Sequence, residues 1–184
     1  MDMSSWGPLA HFAGNWKGDQ GRDFAHSYSK SAGTERLYRE EVSLEPLGPV
    51  DNGTQSLYGL DYRMKAWPIG EDEPFHMEVG YWLWDAESRL VMRSVMVPRG
   101  VTLIATGEAG PDAMSFTLRA EKGDEVSGIL QNPYLMRAAR TIEYEVTLTV
   151  GEDGSFAYTQ DILLEMRVQP GVFHHTDQNT LTKA

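Results

Sequence analysis

The sequence predicts an all-β fold, a ten-stranded antiparallel up-and-down β-barrel with one or two short helices. Three observations lead there. Apolar and polar residues alternate with period two in stretch after stretch, which is the signature of a strand with one wet face. Turn-forming Gly, Pro, Asn and Asp clusters recur at regular intervals and do not gather into a linker. Helical periodicity is scarce, and a sheet of ten strands is relieved of exposed edges by closing on itself.

The clearest strand is TIEYEVTLTV, where Ile142, Tyr144, Val146, Leu148 and Val150 share one parity and threonines and glutamates the other. A turn at Asp153-Gly154 then leads into FAYTQDILLEMRV, so 141–168 reads as a long hairpin. The same alternation upstream gives strands near 36–45, 55–66, 75–85, 89–98, 101–108 and 113–121, with a first near 14–19 and a last near 177–183. SSWGPLAHFAG supplies a turn or two of helix, and NPYLMRAAR another, opened by an Asn with Pro beside it.

All 184 residues fit one domain, 1–184. Cysteine is absent, which removes disulfides and thiolate ligation. A net charge of −11 repels a phosphate backbone, so nucleic acid is not an expected partner. The opening MDMSSWGPLAHFAG has no basic and apolar leader, and no apolar run is long enough to span a bilayer, so the expectation is a cytoplasmic chain without a membrane partner.

Candidates for chemistry are few. FHMEVGYWLWD is apolar or aromatic on both parities, which suits a strand covered on two sides, or one that places His76 in a cavity among aromatic walls. His174 and His175 are neighbours on the last strand, so at most one points inward. No carboxylate or histidine cluster accompanies them, which argues against a zinc site, whereas haem needs one imidazole and an apolar slot. GDQGRD reads as a plain acidic turn, Tyr58, Leu60, Tyr62 and Met64 as core, and Arg93 and Arg167 as outward-facing. Nucleophile-elbow, P-loop and dinucleotide motifs are missing.

FAGNWKG, FHMEVGYWLWD with VPRGVTLIATGEA, and ILLEMRVQPGVFHHTDQNTLTKA, in that order, resemble the opening, middle and end of the nitrobindins. These are haem-binding barrels related in shape to fatty-acid-binding proteins and lipocalins. The resemblance implies haem b held by a histidine near the C-terminus, with His175 the first match and His174 the second. It also implies His76 in the cavity and Trp16, Met96 and Met166 among the cofactor contacts. Nitric oxide binding, or isomerisation of peroxynitrite to nitrate on ferric haem, is the activity it carries. The alternative is a non-enzymatic carrier of a small apolar or amphipathic ligand, with His175 only hydrogen-bonded in the wall or to Asp177 and Asn179.

Overall fold

The computed structural model describes residues 2–184. The strands are β1 (Gly14–Ser27), β2 (Ala32–Asn52), β3 (Gln55–Pro68), β4 (His76–Asp85), β5 (Leu90–Val97), β6 (Val101–Glu108), β7 (Ser115–Glu121), β8 (Ile129–Gln131), β9 (Ala139–Val150), β10 (Phe156–Met166) and β11 (Val172–Lys183). Pairing runs β5-β4-β3-β2-β1-β11-β10-β9-β7-β6 and closes through β5 and β6, all antiparallel. Ten strands therefore form the barrel, as the alternation predicts. The three-residue β8 is an addition, pairing with β6 where β7 has left it.

Both helical signals are real but short. Asn132 Oδ1 accepts the amides of Tyr134 and Leu135 at 2.8 and 3.0 Å and starts the single turn α1 (Leu135–Ala138). The N-terminal segment Ser4–Phe12 is a 3₁₀ stretch and it plugs one end of the barrel. Leu9 and Phe12 are fully buried, Phe12 meets Trp82, Phe116 and Phe156 edge-on or tilted, and Trp6 Nε1 donates to the Gly59 carbonyl at 2.8 Å. Trp16 completes the plug. It is 1% exposed, stacks edge-on against Phe156 and donates to the Phe12 carbonyl, so it is part of the closed end and does not reach the open one.

Strands β1, β2 and β11 are longer than expected, and for β1 the reason is local. The GDQGRD stretch is no turn but a bulge inside β1, where register against β2 shifts between Gly18 and Gly21. Before it, Trp16 faces in; after it, odd-numbered residues do, with Gly21 and Asp23 buried. The bulge thus carries β1 on to Ser27 and aims Asp23 inward. Among the described residues no helix is long and apolar enough to cross a membrane.

Candidate functional site

The lumen is polar. Its groups sit where a polar residue interrupts the apolar parity of a strand, so the pleat itself points them inside. On β2, Tyr38 and Glu40 precede Val42 and Leu44 on the inner face. His76 and Glu78 precede Trp82 and Trp84 on β4, Arg93 lies between Val91 and Val95 on β5, and His175, Asp177 and Asn179 precede Leu181 on β11.

Two hydrogen-bonded clusters result. In the first, Arg93 Nη2 donates to Glu78 Oε2 at 2.6 Å and to Tyr62 Oη at 3.1 Å, and Nη1 donates to Tyr144 Oη. Tyr62 donates to Glu78 at 3.0 Å, and His76 Nε2 lies 3.1 Å from Glu78 Oε1. Burial alone would raise the Glu78 carboxyl, but Arg93 and His76 outweigh it and hold it down at about 2. Burial would lower His76, and the hydrogen bond and charge of Glu78 reverse that, raising it.

In the second cluster Tyr38 donates to Asp177 Oδ1 at 2.6 Å, the Tyr38 and Tyr158 hydroxyls are 2.6 Å apart, and Tyr158 lies 3.2 Å from Glu40 Oε2. Asn179 Nδ2 donates to Glu40 Oε1 at 2.9 Å. Burial, then the charge of Asp177, pushes Glu40 up to about 8, and burial pushes Asp177 up to about 6. Glu40 is therefore protonated near neutrality. Both carboxyls have raised values, so the stability they contribute is complete below their unfolded values and is lost as pH climbs through about 6 and 8. Urea unfolding midpoints are expected to fall from about pH 5 to about pH 8, and to fall less in Glu40→Gln, which keeps the neutral hydrogen bonds. Identical pH slopes in the two proteins would remove Glu40 from this role.

At the open end, His175 is on the inner parity and His174 on the outer. His175 Nε2 lies 2.6 Å from Asp23 Oδ1, the carboxylate delivered by the β1 bulge, and not against Asp177 or Asn179. His174 Nδ1 pairs with exposed Asp161 at 2.8 Å. His76 lines the cavity. Three other expectations are corrected. Met96 points outward from β5 and is 55% exposed, because Val91, Arg93 and Val95 take the inner parity. Arg93, read as outward-facing, is inside and paired. Met166 is buried at the far end of β10 by the β10–β11 turn, outside the residues that line the cavity.

The cavity holds about 30 Å³, bounded by Glu40, Tyr62, Glu78, Arg93, Tyr158 and Asp177 among others. Trp82 Nε1 and Arg93 Nε are buried in its wall without a partner among the described residues. The residues around the space therefore include two with unanswered donors as well as acids and tyrosines.

With this geometry in hand, comparison with known proteins is direct. The family described as "THAP4-like, heme-binding beta-barrel domain" matches residues 5–183. The chain belongs to the THAP4-like haem-binding β-barrel family. Among solved structures, this THAP4-like barrel superposes on Rv2717c from M. tuberculosis with a TM-score of 0.67 at 20% identity, covering 96% of this chain and 94% of that one. No curated protein matches it.

The side chains present in this THAP4-like barrel do not fit a haem. A pocket for a molecule of that class runs to several hundred Å³ on the scale of roughly 300–1,000 Å³ for ligand sites, against about 30 Å³ in the lumen cavity beside His76. The imidazole that faces inward has its Nε2 committed to Asp23. The slot itself is occupied by the ion-paired Arg93–Glu78 and by the tyrosine–carboxyl chain, which are costly to desolvate further or displace.

Proposed function

We propose that the chain is a non-enzymatic binding protein whose lumen holds a small polar or amphipathic molecule, bearing an oxygen acceptor at one end and a hydrogen-bond donor at the other. The observation that carries this reading is the pair of buried, unpartnered donors, Trp82 Nε1 and Arg93 Nε, on two residues that line the same cavity as Glu40, Tyr158 and Asp177. A carbonyl or hydroxyl oxygen satisfies the donors, and an amine or hydroxyl hydrogen satisfies the acids. A fatty-acid carboxylate is disfavoured because Arg93, the buried cation, is already neutralised by Glu78. His76 and His175, both part-exposed at the open end, form the rim past which the molecule enters. Entry requires the Tyr38–Tyr158 pair or His76 to move, since the cavity as built has room for little more than water.

Haem is the second reading, favoured by the family match and by the inward placement of His175. Nitric oxide binding and peroxynitrite isomerisation depend on it. Native mass spectrometry of protein purified without added ligand separates the two. A non-covalent small-molecule adduct, lost in Asp177→Asn, is the expected result. A porphyrin adduct supports the second reading, and an unliganded chain contradicts both.

A further inference from the structure

Two acids in the lumen are held by neutral groups alone. Glu40 is 2% exposed, and its hydrogen-bond partners are Asn179 Nδ2 at 2.9 Å and the Tyr158 hydroxyl at 3.2 Å; Asp177 accepts from the Tyr38 hydroxyl at 2.6 Å. The cations nearby are each committed to another carboxylate, Arg93 at 2.6 Å and His76 at 3.1 Å to Glu78, and His175 at 2.6 Å to Asp23. Among the described residues neither Glu40 nor Asp177 takes part in an ion pair. Both acids line the cavity together with Tyr62, Trp82, Phe156 and Tyr158, and two of the lining residues carry the buried, unpartnered donors Trp82 Nε1 and Arg93 Nε. Acids and aromatic rings around one space are the groups that recognise an ammonium ion.

We propose, resting on the small-ligand reading above, that the molecule held in the lumen is a primary amine, bound as its ammonium ion against Glu40 and Asp177. A neutral alcohol satisfies the same hydrogen bonds, so what selects the cation is charge. Burial, then Asp177, holds Glu40 up at about 8, so at neutral pH it carries a proton; the charged groups that act on it are Asp177 and Glu78, while Asp23, His175 and His76 act on Asp177. An ammonium ion arriving beside Glu40 takes the place of that proton. One positive charge enters as one leaves, and the buried charge is unchanged. The route out is already built. Glu40, Tyr158, Tyr38 and Asp177 form one chain with oxygen–oxygen distances of 3.2, 2.6 and 2.6 Å. Glu40 passes its proton to Tyr158, Tyr158 its hydroxyl proton to Tyr38, and Tyr38 its own to Asp177, so both phenols end neutral and Glu40 ends as the carboxylate. Asp177 also borders a second, open hollow with Arg22, Thr159 and Gln178, where water takes the proton. The size of the space sets the class of amine. About 30 Å³ admits a head the size of water, which a primary ammonium matches and a trimethylammonium exceeds. An oxygen elsewhere in the molecule answers Trp82 Nε1 or Arg93 Nε.

Titration calorimetry of the intact chain at neutral pH with ethanolamine and with glycinamide, each in phosphate and in MOPS buffer, tests it, because the difference in heat between the buffers counts protons. The expected result is one-to-one binding that releases close to one proton, with ethylene glycol and choline bound at least roughly tenfold more weakly. Glu40→Gln is expected to weaken ethanolamine at least roughly tenfold and to abolish the proton release, while Glu41→Gln, exposed on the same strand, changes neither. Proton release by the wild type decides the matter even if Glu40→Gln fails to fold. Ethylene glycol bound as tightly as ethanolamine, or amine binding with no proton released, overturns the inference and leaves the small-ligand reading standing. So does an absence of heat with both amines while native mass spectrometry shows some other adduct; an unliganded chain in that spectrum removes both.

Discussion

Glu78→Ala is expected to lower the unfolding free energy by about 3–5 kcal/mol, because it leaves the Arg93 guanidinium buried with only phenol oxygens for company. The charge has no route to water, since Arg93 is enclosed by Tyr62, Trp82 and Tyr144. Urea unfolding at neutral pH measures the loss. Replacing both members, Glu78→Leu with Arg93→Leu, is expected to recover much of it, since two apolar side chains bring no unpaired charge. The pH dependence has a definite sign. Glu78 is held at about 2 when folded, so its contribution is present above its ordinary carboxylate value and disappears as pH falls from about 4.5 toward 2. Wild type should therefore lose stability in that acid window, and Glu78→Gln should lose less. Additive costs for the two single leucine substitutions in the double variant would show that the pair is not coupled.

Gly21→Ala should have the next largest effect, about 2–4 kcal/mol, for a purely steric reason that then becomes electrostatic. A Cβ at position 21 comes impossibly close to the ring of Tyr38, which lies across the β1 bulge and is 1% exposed. The ring cannot shift without releasing Asp177 and Tyr158, to which its hydroxyl is bound. Thermal unfolding compares this variant with Gly110→Ala, whose added methyl meets open space and is expected to be close to neutral. Adding Tyr38→Leu to Gly21→Ala should remove the clash and recover part of the loss. A Gly21→Ala protein as stable as Gly110→Ala would mean that the ring is not confined as described.

The contrast between these residues explains what could be read from sequence. All ten barrel strands were legible, because the alternation is strong and closure follows from strand count. Where a strand's parity is unambiguous, as in β9 from Tyr144 to Leu148, the inward residues follow from it, whereas the irregularity opposite Leu163 and Leu164 buries Thr141 on the other parity. The lumen was harder. Arg93 was placed outside because charge ordinarily marks a wet face, and Glu40 and Glu78 were not singled out. The signal that finds them is their position: each is a charged residue on the same parity as buried neighbours, Glu40 with Val42 and Leu44, Arg93 with Val91 and Val95.

Two features misled that reading. On β5 both parities are apolar, so Met96 and Arg93 could be exchanged between faces without violating the pattern. In β1 a bulge reverses parity midway, and no periodicity argument anticipates that Asp23 becomes the partner of His175. The last strand needed only one fact, its inward parity, and Leu181 at 0% exposure supplies it: His175, an even number of residues away, points in, and His174 points out.

The central claim is that paired, hydrogen-bonded polar side chains occupy this barrel's lumen and leave no room for a planar macrocycle. Titration with hemin, followed at the Soret band in wild type and in His175→Ala, tests it most directly. The account predicts weak, superstoichiometric binding with spectra that do not differ between the two proteins. A sharp one-to-one Soret transition in wild type that His175→Ala abolishes would contradict it.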